Sequence, residues 1–180
     1  MSLLSRFLGS AFGDRAPEPE PEEPESMRRI QAQLEGLTPD TARFLSAFAY
    51  VLARAANADL RIDEAEAAEM QRSLEDLADL PASQATMVVE IARHQARKLG
   101  ATDNYLVTRE FHRIATAEQR RKLVQCLFAV TASDDHISSQ ESAEVLTIAQ
   151  ELGFTRPQAL AMRAPWKDKL SEFKNFPGDS

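Results

Sequence analysis

The chain holds one cysteine, Cys126, among 180 residues. A lone thiol excludes an intrachain disulfide and any zinc site built on paired cysteines. It sits in Leu123-Val-Gln-Cys-Leu-Phe128, where a small apolar packing residue is expected. No apolar run approaches the ~18 residues needed to span a bilayer, so an integral membrane protein is not expected. A basic stripe that could follow a phosphate backbone is missing, which argues against nucleic acid as a partner. There is no nucleophile elbow, no phosphate-cradling glycine loop and no His-x-x-His pair, and His94, His112 and His136 are scattered. An enzyme is therefore not expected. Alternating strand patterns of useful length are absent too.

What charge there is lies unevenly. The formal net charge is −7. Residues 14–25 carry six acids against Arg15, residues 1–13 carry only Arg6, and 26–180 keep just −3. The run Ala16-Pro-Glu-Pro-Glu-Pro-Glu-Glu-Pro-Glu25 cannot bury apolar area and repels itself, so 14–26 reads as a disordered acidic linker. Ahead of it, Leu3, Leu4, Phe7, Leu8, Ala11 and Phe12 fall at helical spacing opposite Ser5, Arg6 and Ser10. Residues 1–13 thus form an amphipathic segment that either lies on a membrane surface or packs on protein. It has none of the parts of a signal peptide.

From Met27 onward the pattern is helical, and 27–180 is expected to be one all-α domain. Phe44, Leu45, Phe48, Val51, Leu52 and Ala55 make one apolar stripe; Leu123, Val124, Leu127, Phe128 and Thr131 a second; Val145, Ile148, Ala149 and Leu152 a third. Thr38 before Pro39 reads as an N-cap. Thr116-Ala-Glu-Gln119, Ser138-Ser-Gln-Glu141 and Thr155-Arg-Pro-Gln158 read as capping boxes. Gly100 and Gly153 fit helix ends that need a left-handed residue. The expectation is a compact bundle of about seven helices, 27–35, 39–57, 63–79, 83–99, 104–114, 117–131 and 139–152, with a further segment from about 156. Trp166 after Pro165 either caps the domain edge or marks a binding surface.

The most informative feature is a duplication at an offset of 75 positions. Asp59-Leu-Arg-Ile62-Asp-Glu-Ala-Glu66-Ala-Ala-Glu69 matches Asp134-Asp-His-Ile137-Ser-Ser-Gln-Glu141-Ser-Ala-Glu144. Two accounts use the same residues. In the first, Asp63-Glu-Ala-Glu66 and Ser138-Ser-Gln-Glu141 are capping boxes, Asp59 and Asp134 are turn residues, and Ile62 and Ile137 anchor the loops. In the second, Asp59, Asp63, Glu66, Asp134, Asp135 and Glu141 pool their carboxylates around a divalent cation, with calcium, magnesium or manganese favoured by oxygen-only ligands. The acid, the isoleucine three on and the glutamate seven on also match the later half of an EF-hand loop. That match fails at the first loop position, Ala55 or Val130, and at the glycine position, Leu60 or Asp135.

These same segments, with Val145-Leu-Thr-Ile148-Ala-Gln-Glu-Leu152-Gly153-Phe, resemble the TerB-like, tellurite-resistance family over about residues 37–156. The family pattern is alanine, aspartate, glycine, any residue, isoleucine, then a glutamate. The chain departs from it at the glycine, which is Leu60 in one copy and Asp135 in the other. The resemblance implies a helical domain of pseudo-twofold organisation with an acidic, metal-binding patch, onto which Asp59, Glu66, Asp134 and Glu141 carry over. It also implies a cytoplasmic bacterial stress-response protein that binds or scaffolds an unidentified protein partner. The alternative from the same resemblance is a membrane-associated adaptor, like a co-chaperone, docked through 1–13 on the inner membrane. A metal-dependent hydrolase is the third class.

Overall fold

The computed structural model describes residues 25–55, 62–95, 101–132 and 137–170. Eight α-helices run through them in chain order: α1 (Glu25–Glu35), α2 (Pro39–Ala55), α3 (Glu64–Asp76), α4 (Ala82–Gln95), α5 (Ala101–Ile114), α6 (Ala117–Thr131), α7 (Ser139–Glu151) and α8 (Arg156–Arg163). A 3-10 segment, Ala164–Lys169, follows α8. No strand occurs among the described residues, apart from one isolated parallel bridge between Ile137 and Leu170. The all-α expectation holds helix for helix. The amphipathic segment 1–13 lies outside the described residues. Helix α1 begins at Glu25, so the end of the acidic run opens the first helix.

The duplication extends well beyond the loops. Helices α3 and α7 start and stop at the same offset of 75, 64 with 139 and 76 with 151. Around them α1 corresponds to α5, α2 to α6 and α4 to α8. Helix α2 lies at the centre, packed on α1, α4, α5, α6 and α7. Its stripe is buried as the spacing requires: Leu45, Phe48, Val51 and Leu52 are at most 1% exposed. Phe44, Phe48 and Phe111 form a ring cluster with centroids 5.6–5.8 Å apart. Helix α6 is the matching hub of the second half and buries Leu123, Val124, Leu127 and Phe128.

Helix ends follow local chemistry. Helix α3 stops at Asp76, three residues short of the expected 79, because Asp79 turns left-handed at φ 54° and Pro81 follows. Helix α7 ends where Gly153 takes φ 87° and Phe154 N–H donates to Ala149 carbonyl at 3.0 Å. The positive φ favours glycine here, and a Cβ on Gly153 would stand 3.0 Å from Arg120 Nη1 and 3.1 Å from His112 Nε2, so both side chains would have to give. Cys126 is fully buried, donates to Ser73 carbonyl at 3.3 Å, and burial pushes its thiol up to about 12. It is a packing residue.

Candidate functional site: the acidic repeats

Both repeats deliver a complete capping box at the start of their second helix. Asp63 Oδ1 accepts from Glu66 N–H at 2.8 Å, and Glu66 Oε2 accepts from Asp63 N–H at 2.8 Å. In the second copy Ser138 Oγ accepts from Glu141 N–H at 3.1 Å, and Glu141 Oε2 accepts from Ser138 N–H at 2.8 Å. Each pair satisfies two backbone donors that a helix start leaves orphaned. Ile62 and Ile137 are buried at 7% and 0% exposure, so both anchor their loops. Each cap engages one oxygen of its glutamate, Oε2, and leaves Oε1 outside the box. Asp63 is exposed, whereas Glu66 and Glu141 are half-buried.

Arginines brace the flanks of these helices. Arg54, in the last turn of α2, has a side chain only 8% exposed. Its Nε donates to Glu144 Oε1 at 2.7 Å, and its Nη1 donates to Glu151 Oε2 at 2.5 Å and to Thr108 Oγ1 at 2.9 Å. Burial works against the guanidinium charge, but the hydrogen bonds and charges of Glu151 and Glu144 outweigh it and raise the Arg54 pKa. One cation thus ties the end of α2, where the first loop departs, to α7, which the second loop enters. Arg163 Nη1 adds a bond to Ser142 Oγ on α7 at 2.9 Å. On α3 the equivalent brace is Arg93, whose Nη2 meets Glu64 Oε1 at 2.7 Å across a shallow groove of ≈ 190 Å³ between α3 and α4. Every one of these arginines engages a flanking residue. Among the described residues, no ion pair involves Asp63, Glu66 or Glu141.

The family Tellurite resistance protein TerB matches residues 45–164, two thirds of the chain. The chain belongs to the TerB family. No curated protein and no solved structure matches it. The match to TerB starts and ends eight residues later than the stretch that resembles it by motif. It stops at Ala164, the first residue of the 3-10 segment.

Of the six candidate ligands in this TerB domain, the structure places Asp63, Glu66 and Glu141, each at a helix start. Asp59, Asp134 and Asp135 lie outside the described residues, as does His136. Among the described residues no three of Asp, Glu, His and Cys gather closely enough to hold a metal ion. None of the described helices is long and apolar enough to cross a membrane. His112 is exposed beside Gly153, and His94 is half-buried on α4. Trp166 caps an edge of the domain, its ring stacked on Phe128 at 6.1 Å and 25°.

Arg54 and Arg93 escape a motif reading. The available signal for Arg54 was an arginine inside the apolar run Tyr50-Val-Leu-Ala-Arg-Ala55, with Glu144 and Glu151 two turns apart on one face of α7.

Proposed function

We propose that this TerB domain is a non-enzymatic binding or scaffold module of a tellurite or toxic-agent stress response, and that its paired acidic loops hold a hard divalent cation. The observation that carries the reading is a difference between caps. Among the described residues, four helices start with capping boxes. The two outside the repeats use a neutral amide as the reciprocal residue, Gln119 and Gln158. The two inside the repeats use carboxylates, Glu66 and Glu141. Glutamine and glutamate both close the box, so the geometry of the cap does not require the charge. The general attraction of acids to a helix start acts at all four sites and does not select these two.

The charge therefore has a further use at the repeats. Each glutamate keeps Oε1 for a ligand while Oε2 holds the cap. Asp63 adds a further carboxylate, and Asp59, Asp134 and Asp135 complete an oxygen-only donor set suited to calcium, magnesium or manganese. Arg54 supports the pairing, because it links the end of α2 to α7 through Glu144 and Glu151.

Calorimetric titration of the metal-free protein with Ca²⁺, Mg²⁺ and Mn²⁺ tests the reading. Saturable binding of one ion with a defined stoichiometry is expected. Absence of heat for all three would reduce the loops to helix starts.

A further inference from the structure

The second repeat carries polar groups where the first carries core residues. At the offset of 75, His112, Arg120 and Gly153 correspond to Leu37, Leu45 and Ala78, which belong to the main core or pack against it. The exchange leaves a basic cluster at the end of α7 remote from Glu141, about 18 Å along the helix axis. Arg120 lies at its centre. It is half-buried, its Nη1 donates to Leu152 carbonyl at 2.6 Å, and its guanidinium carbon stands 6.0 Å from the Phe154 ring centroid. Those contacts cap the carbonyl end of α7, and they engage one N–H of the guanidinium fork.

The rest of the fork is unspent. Among the described residues no acid pairs with Arg120, in contrast to Arg54 and Arg93. Its Nε is buried and has no hydrogen-bond partner. A donor buried in that state calls for a water or a ligand. The neighbouring groups point the same way. The place a Cβ would take on the exposed Gly153 lies 3.0 Å from Arg120 Nη1 and 3.1 Å from His112 Nε2, so two nitrogens converge beside a glycine that leaves the space open. Arg121 is exposed, its guanidinium carbon is also 6.0 Å from the Phe154 ring, and Glu118 approaches it only to 3.9 Å. Both arginines follow closely on the start of α6 at Ala117, the end of a helix that favours an anion over a cation.

We propose that Arg120, His112 and Arg121 form an oxyanion site around Gly153 and Phe154, and that its ligand is a phosphate group, free or as a small monoester. A planar guanidinium presents paired donors that match phosphate oxygens, and His112 Nε2 adds a donor at Gly153. The ring of Phe154 flanks both guanidinium groups and holds their planes near one another. The site shares no residue with the acidic loops, so it stands or falls apart from the cation reading.

The test titrates the metal-free full chain with inorganic phosphate, at an ionic strength fixed with chloride, and follows nitrogen-15 NMR shifts. Saturable shifts are expected at the Gly153 and Phe154 amides and at Arg120 Nε–H, with the exposed Arg72 unmoved. Arg120→Lys keeps a cation and loses the fork, and should weaken binding about tenfold or more. Arg121→Gln changes an exposed side chain, keeps the fold, and should weaken binding about threefold or more. A parallel titration with methyl phosphate separates the two sources: tighter binding than inorganic phosphate assigns a monoester, weaker binding the free ion, and either order upholds the site. Shifts that never saturate, that appear equally at Arg72, or that are unchanged in the Arg121→Gln variant would overturn it, because phosphate would then be screening surface charge in general.

Discussion

Replacing Arg54 by methionine keeps the apolar stem and removes the charge. The structure sets the size of the loss. The Arg54 side chain is 8% exposed, Glu151 18% and Glu144 39%. Without the guanidinium, two carboxylates and the buried Thr108 hydroxyl lose their shared donor. Removing one partner of a fully buried ion pair costs roughly 3–5 kcal/mol. Water can take over at Glu144, so the expected cost is near the low end, about 3 kcal/mol. For a domain of this size, about 3 °C in Tm accompanies each kcal/mol, giving a fall of about 9 °C in a thermal melt followed by circular dichroism. Glu151→Gln should cost more than Glu144→Gln, since it is the less hydrated partner. The triple replacement of Arg54 by methionine and both acids by glutamine should recover a large share of the loss, because no buried charge is then left unpaired. A loss below about 1 kcal/mol for Arg54→Met would refute the reasoning, and the network would count as a screened surface pair.

Other outcomes follow from single features. Gly153→Ala should cost about 1–2 kcal/mol, because φ 87° is strained for any L side chain and the new Cβ meets Arg120 and His112; a loss under about 0.5 kcal/mol in a urea titration would contradict the geometry. The Cys126 thiol, raised to about 12, should react with a disulfide reagent at about pH 8 on the order of 10³ times more slowly than an exposed cysteine, until the protein is unfolded. Its stabilising contribution is fully present below the unfolded value near 9.0 and is lost as pH rises toward about 12, because only the unfolded state ionises in that window. Ser138→Ala and Thr116→Ala should each cost about 1 kcal/mol in metal-free conditions, since both remove the same cap; a cost for either below about 0.3 kcal/mol would count against the caps as drawn.

The helices and caps were legible because their determinants are local. Thr116 to Gln119 and Ser138 to Glu141 lie within one turn, and the short spacing carries the whole device. Helix ends were read less closely where an uncommon backbone state decided them, as at Asp79, an aspartate doing what glycine does more often. The tertiary devices left little trace. Arg54 finds partners 90 and 97 residues away, and no spacing rule links them. That Leu170 reaches Ile137 is likewise a fact only the fold supplies. For the candidate site, the sequence indicated which acids repeat. The contrast between Glu66 and Glu141 on one hand and Gln119 and Gln158 on the other gained meaning once all four boxes were seen to close alike.

That contrast supplies the most direct measurement. The variant carrying both Glu66→Gln and Glu141→Gln keeps four closed capping boxes and removes two carboxylates. The account predicts a melting temperature within about 2 °C of the wild type without added metal. It also predicts that the stabilisation produced by the bound divalent ion in the wild type disappears in the variant. An unchanged response to the ion in the variant, or no response in the wild type, would contradict the claim that the repeats hold their glutamates for a cation.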